Sequence, residues 1–230
     1  MGSLYLINAT IVLEDSILYE GFIHIKEEKI ESIGGMGNCP SSATADRVVD
    51  CRGKQYVIPG MIDIHVHGAA GFDFMDGKQE AFEGIALALA KEGTTSFLAT
   101  TITNPVSYLS HTLKSLERYR ADSNGPGAAE MIGIHLEGPF INKEQKGAQP
   151  ESAIILPNAN LFKEWQELSG DAIKIITYAP ELDNNFELLT ELKRANVIPS
   201  MGHSNASYDE SIHAITHGVT HATHLFNGMK

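Results

Sequence analysis

The sequence predicts an α/β chain: a (β/α) barrel represented by its first six strands, preceded by a small β domain. Three observations predict it. From Val57 onward, short apolar runs alternate with amphipathic stretches, the pattern of repeated βα units with right-handed crossovers and hence a parallel sheet. No Gly-rich phosphate fingerprint follows the first of these strands, which favours a barrel over a doubly wound dinucleotide fold. Metal-type side chains then fall at the ends of four strands, the rim where such barrels carry their chemistry.

A chain of 230 residues, 43% hydrophobic and 20% charged, can bury a substantial core. The net charge of −12 argues against nucleic acid or an anionic membrane surface as a partner, since both demand basic patches. Cys39 and Cys51 share no C-x-x-C spacing. The amino-terminal apolar run is short and lacks a basic flank, so it reads as neither a secretory leader nor a membrane span. Reduced thiols in a cytoplasmic protein are the expectation.

Residues 1–57 read as the small β domain. Leu4–Val12, Gly21–Lys26, Lys29–Ile33 and Arg47–Asp50 are β-rich, Glu27-Glu28 sits where a hairpin turn would, and residues 34–45 are a loop by composition. Residues 58–230 are the barrel part. Its strands are expected at 57–66, Thr94–Thr101, Met131–Leu136, Ile173–Tyr178, Val197–Met201 and Thr220–Leu225, the first of them buried. Helices are expected at about 78–92, 105–121, 158–169, 184–196 and 207–217, with Asn104-Pro105 and Ser207 as starts and Gly93 and Gly218 as stops.

On the first barrel strand His65 and His67 are two residues apart, so both imidazoles project from one face, about 7 Å apart at the backbone and within reach of one ion. By itself H-x-H is a weak signal. The third strand adds His135 and Glu137, the fifth leads into Gly202-His203-Ser204, and the sixth adds His224. Four imidazoles, His65, His67, His203 and His224, with the carboxylate of Glu137 suit one or two divalent ions such as Zn²⁺, Fe²⁺ or Mn²⁺, with Glu137 bridging if there are two. His24, His111, His213 and His217 fall in the small domain or on helices, and His221 lies on the strand face opposite His224. Glu181, at the end of the fourth strand, faces the rim and is either a substrate contact or structural.

The combination of D-x-H-x-H-G from Asp63, H-L-E-G-P-F from His135, G-H-S from Gly202 and H-A-T-H-L-F-N-G-M from His221 resembles the amidohydrolase superfamily, and within it the N-acetylglucosamine-6-phosphate deacetylase family. D-x-H-x-H-G alone would fit many amidohydrolases; H-L-E-G-P-F, Gly147 to Pro150 and H-L-F-N-G-M are the specific parts. The resemblance implies a (β/α)8 TIM-like barrel with a small β-sandwich, hydrolysing the acetamide of an amino-sugar phosphate, with a homodimer as the expected assembly. It implies Glu137, His203 and His224 as ligands of the metal that activates water, and His65 and His67 as holders of a second ion. Gly138 would line the acetamido pocket. The backbone of Asn227 and Gly228 would meet the sugar phosphate, and Gln149 stands where some members place a histidine against the sugar. The family's catalytic aspartate is expected beyond Lys230, so the catalytic residue stays unassigned. Asp63 is a poor substitute, about 7 Å deeper in the barrel than His65 by the strand rise. A cyclic-amide hydrolase is the alternative enzyme; those commonly carry a carboxylated lysine at the fourth strand end, whereas Lys174 sits at that strand's start. A non-catalytic metal- or sugar-phosphate-binding protein is the alternative outside enzymes.

Overall fold

The structure, a computed structural model, describes residues 2–40, 45–122, 125 and 127–230. Residues 41–44 of the predicted loop lie outside the described residues. The chain forms two compact units, Met1–Gly60 and Met61–Lys230.

The first unit is built on β1 (Ser3–Val12). It pairs antiparallel with β2 (Ile17–Lys26), which pairs antiparallel with β3 (Lys29–Gly35). Lys26 lies opposite Lys29, so Glu27 and Glu28 form a two-residue turn, and both take the left-handed φ (49° and 67°) that such turns require. The other edge of β1 is shared between two parallel partners: β4 (Arg47–Asp50) along Leu4–Ile7, and β5 (Tyr56–Val57) along Thr10–Ile11. The described residues thus supply one five-stranded layer of the expected sandwich, and Ala9, Ile11, Ile23 and Cys51 form its small core. Both cysteines are free thiols.

The strand expected at 57–66 is two strands. Pro59 has no N–H to give a ladder and Gly60 breaks the extended run, so Tyr56–Val57 joins β1 while β6 (Met61–Val66) opens the second unit. Nor is β6 buried. Among the described residues it pairs only with β9 (Thr94–Thr101), at the edge of the sheet, and Met61, Ile62 and Ile64 are 53%, 62% and 46% exposed.

A short hairpin, β7 (Gly68–Ala69) with β8 (Phe72–Asp73), follows β6 and leads into α1 (Gln79–Lys91). After β9 the repeat runs through α2 (Val106–Ala121), β10 (Glu130–Glu137), α3 (Ala159–Leu168), β11 (Ile173–Tyr178), α4 (Glu187–Arg194), β12 (Ile198–Met201), α5 (Tyr208–His217) and β13 (His221–Ala222). The six strands are parallel and stand in chain order, β6-β9-β10-β11-β12-β13, the arrangement of a barrel wall without the order reversal of a doubly wound sheet.

Local chemistry sets the helix ends. The Asn158 side chain caps α3 through Leu161 N (3.0 Å), and Ser207 with Glu210 forms a reciprocal capping box on α5. Asp183 accepts from Leu188 N and Leu189 N (3.0 and 2.9 Å), so α4 begins at Glu187, three residues later than the periodicity suggests. Between helices and sheet, Phe97, Leu113, Ile134, Leu136, Trp165, Ile176 and Leu188 are fully buried, each contributing on the order of 1.5–3 kcal/mol of transfer free energy. Trp165 Nε1 donates to Ser110 Oγ at 2.9 Å, fastening α3 to α2. Among the described residues, no helix is long and apolar enough to cross a membrane.

The sixth strand is shorter than expected. After His221–Ala222 the chain turns, with His224 and Phe226 at positive φ (35° and 74°) and Asn227 N donating to His224 O at 2.8 Å. The apolar pair Leu225 and Phe226 imitates a strand, while the Asn227-Gly228 turn signal beside it decides the conformation.

Candidate metal centre

Five side chains meet beyond the carboxyl ends of four strands. His65 is the penultimate residue of β6 and His67 follows it, Glu137 ends β10, His203 lies two residues past β12, and His224 lies two past β13. They fall into two overlapping sets, His65, His67 and Glu137, and Glu137, His203 and His224, in each of which the donor atoms lie within 4.8 Å of one another. Glu137 belongs to both and is 2% exposed. Its Oε1 lies 3.3 Å from His203 Nε2, 3.2 Å from His224 Nε2 and 3.6 Å from His65 Nε2, and its Oε2 lies 3.1 Å from His67 Nε2.

Backbone carbonyls orient two of the rings. His203 Nδ1 donates to Gln145 O and His224 Nδ1 to Asn227 O, both at 2.7 Å. With a ring proton held there, each ring points its Nε2 inward, and these two nitrogens are only 3.1 Å apart. His65 Nε2 and His67 Nε2 face each other similarly at 3.3 Å. Inward-facing lone pairs around a buried carboxylate are mutually repulsive unless a proton or a cation lies among them. The donor set, imidazole nitrogen with carboxylate oxygen, fits a divalent transition ion.

The electrostatics of the site agree. Burial would push Glu137 up, but its hydrogen bonds to His203 and His67 and the neighbouring imidazoles hold it well below the usual carboxylate range. His67 and His203 are likewise opposed by burial, yet contact with Glu137 raises both above the usual imidazole value. His65 is lowered by burial despite Glu137.

The fifth histidine of the rim is differently employed. His135 Nδ1 donates to Ile64 O at 2.8 Å, its Nε2 accepts from Thr177 Oγ1 at 2.7 Å, and burial lowers its pKa to about 4. Its lone pair is thus taken. Thr177 continues to Thr223 (2.6 Å) and Thr223 to Ser200 (2.7 Å), so a buried string of side chains runs under the site from β6 to β12.

Of the other residues singled out in the sequence, Gly138 and Gln149 lie together. Gly138 has φ 73°, and a Cβ there would stand 2.1 Å from Thr103 Oγ1, so only glycine fits. Gln149 is 3% exposed and its Oε1 accepts from Thr103 N at 2.7 Å, which identifies Nε2 as the end of the amide left to donate. Gly228 packs against two of the clustered histidines, where a Cβ would stand 3.2 Å from His203 Nδ1 and 3.4 Å from His224 Cε1. The Asn227 N–H donates to His224 O at 2.8 Å and closes the turn that carries His224. Asp63 curls back to accept His65 N at 3.0 Å. His221 bonds Thr220 Oγ1 and stays out of the site.

Thr103 and Thr177 carry site geometry that the sequence reading missed. Their only signal is apolar strand sequence interrupted by threonine.

Comparison with known proteins gives a consistent picture. Residues 56–230 match the model of the amidohydrolase family. Over 228 residues the chain is 38% identical to the N-acetylglucosamine-6-phosphate deacetylase of Bacillus subtilis (strain 168), covering 99% of this chain and 57% of that one. It superposes on the structure of the N-acetylglucosamine-6-phosphate deacetylase from Pasteurella multocida with a TM-score of 0.87 at 29% identity, covering 98% of this chain and 57% of that one. For the Mycobacterium smegmatis deacetylase mutant in complex with N-acetyl-D-glucosamine-6-phosphate, the TM-score is 0.86 at 27% identity, covering 100% of this chain and 57% of that one. The chain therefore spans a little over half the length of these relatives. Matching family sequence over the whole second unit, with a parallel wall in chain order and an imidazole–carboxylate cluster at its carboxyl rim, places the chain in the amidohydrolase family.

Proposed function

We propose that this chain carries the metal centre of an N-acetylglucosamine-6-phosphate deacetylase, which hydrolyses the acetamide of N-acetyl-D-glucosamine 6-phosphate to D-glucosamine 6-phosphate and acetate. The observation that carries this reading is the convergence of His65, His67, Glu137, His203 and His224 on one small volume, in a chain whose relatives bear that name. Glu137, His203 and His224 would hold one divalent ion, and His65 and His67 with Glu137 a second. A divalent ion in such a site lowers the pKa of a bound water to near 7 and polarises a carbonyl.

The chain's own residues support the rest of the task. The carbonyls of Gln145 and Asn227 fix the tautomers of His203 and His224. The Gly138 backbone, closed off by Thr103, offers a wall for a small acyl group, and the oriented Gln149 amide offers a donor beside it. With the Asn227 N–H engaged, the Asn227 side chain and the Gly228 backbone are the groups we assign to a sugar phosphate. Asp63 is tied to the backbone of its own strand, so we assign no general base within these residues. A cytoplasmic homodimer completes the reading, and sedimentation equilibrium tests the assembly.

Acetate release from N-acetylglucosamine 6-phosphate is the deciding assay. Turnover with added Zn²⁺ or Mn²⁺, abolished by chelator and by Glu137→Gln, is the expected result in protein of the relatives' length. Turnover of dihydroorotate or hydantoin instead would overturn the assignment.

A further inference from the structure

We propose that Glu181 is a positioning residue for His203, holding in place the loop that presents this histidine to a metal ion; the proposal rests on the metal reading above. Glu181 lies in the short 3₁₀ turn Pro180–Leu182 that follows β11, a strand that sends no ligand to the site. Both of its oxygens are engaged. Oε1 accepts from Asn142 Nδ2 at 3.0 Å and from Asn205 N at 2.7 Å, and Oε2 accepts from Ser204 Oγ at 2.7 Å. One carboxylate thus gathers the loop after β10, through Asn142, and the loop after β12, through the two residues next to His203. Hydrogen bonds to an ionised acceptor are about twice as strong as neutral ones.

Those same loops grip His203 directly. Asn142 N donates to His203 O at 2.8 Å, and the backbone carbonyl of Gln145, three residues further on, accepts from His203 Nδ1 at 2.7 Å. Asn205 also bonds Glu144 Oε2 at 2.6 Å, closing the ring of contacts. The grip is needed because His203 adopts φ 49°, a left-handed conformation unfavourable for a non-glycine residue. A strained residue persists only where its surroundings over-determine it. Glu181 supplies that over-determination from outside the ligand set, and with its oxygens engaged by three internal donors it is poorly placed to meet substrate.

The test is a double-mutant cycle in the full chain, read as Zn²⁺ affinity by competition with a chromophoric chelator and as the unfolding midpoint of the metal-free protein. Glu181→Gln keeps the shape but puts an N–H₂ where a carboxylate oxygen faced a donor. We expect it to weaken Zn²⁺ binding roughly 10–100-fold, the usual effect of losing an outer partner. Glu181→Ala should weaken it at least as much. In a His203→Asn background, where that ligand is already gone, Glu181→Gln should cost no further affinity. An equal affinity loss from Glu181→Gln in both backgrounds, or unchanged Zn²⁺ affinity in Glu181→Gln, would overturn the proposal. Absence of Zn²⁺ binding by the unaltered chain would sink the metal reading itself, a different and distinguishable failure.

Discussion

His224 Nδ1 donates to the carbonyl of Asn227, three residues ahead of it, so the turn that brings this histidine to the site also decides which nitrogen it offers. The same turn is closed by Asn227 N donating back to His224 O, and its glycine leaves room for the His203 ring. Ring orientation, tautomer and backbone path are therefore one feature rather than three.

Replacing Gly228 tests that unity. Its φ is 61° and its missing Cβ would crowd His203 and His224, so Gly228→Ala should destabilise the protein by about 1–3 kcal/mol and weaken metal binding as well. Thermal denaturation with and without Zn²⁺ measures both. A change in stability with no change in metal affinity would show that the turn does not orient the ligands.

Glu137 is the only carboxylate shared by the two ligand sets among the described residues. Glu137→Ala should therefore lower metal content more than His65→Ala does, and by more than the 10–100-fold typical of an outer partner. Elemental analysis after gel filtration gives the comparison, and equal metal content in the two variants would refute the shared role.

The metal-free protein should be most stable near pH 6.5. His67 and His203 have raised pKa values in the fold, so their contribution is complete below the ordinary imidazole value and is lost as pH rises through the raised values. His65 and His135 are lowered, the latter to about 4, so stability falls as pH drops from about 6.5 toward 4 while the unfolded chain takes up protons the native site refuses. Urea midpoints across that range should trace a maximum, and a monotonic curve would contradict the assignment. Metal should remove the loss on the alkaline side.

Thr177 is the middle of the buried string between His135 and Thr223. Thr177→Val leaves both partners short of a hydrogen bond and should cost about 1–3 kcal/mol, whereas Thr177→Ser should keep most of the stability. Unchanged stability in Thr177→Val would show that the hydroxyl's hydrogen bonds contribute nothing, and a larger loss in Thr177→Ser would assign the cost to packing of the methyl group.

Much of this was legible in the sequence because it follows from periodicity and strand-end chemistry. The alternation after Val57 marks the strands and helices of the wall, and the ends of α5 at Ser207 and Gly218 follow from capping residues. His65, His67, Glu137, His203 and His224 could be brought together because a parallel sheet in chain order puts every strand's carboxyl end on one rim. What could not be read was competition between local signals. At Pro59-Gly60 a backbone without a donor outweighed a continuous apolar run, and at Asn227-Gly228 a turn outweighed Leu225 and Phe226. The engagement of Glu181 by two loops depends on tertiary distances that no spacing in the sequence encodes.

Pairing in chain order also has a kinetic side. Each strand of the wall finds its partner one βα unit away, so sheet growth closes one modest loop at a time, and the entropy of closure stays nearly constant from step to step. The candidate metal ligands obey a different geometry, because they are drawn from β6 and β10 and from the residues past β12 and β13. His65, His67 and Glu137 gather from the three neighbouring strands β6, β9 and β10, while the set containing His203 and His224 needs the four strands from β10 to β13. An ion held by these two sets would join strands that the sheet itself leaves unpaired, β6 to β10 and β10 to β12, and so cross-link the wall at its rim.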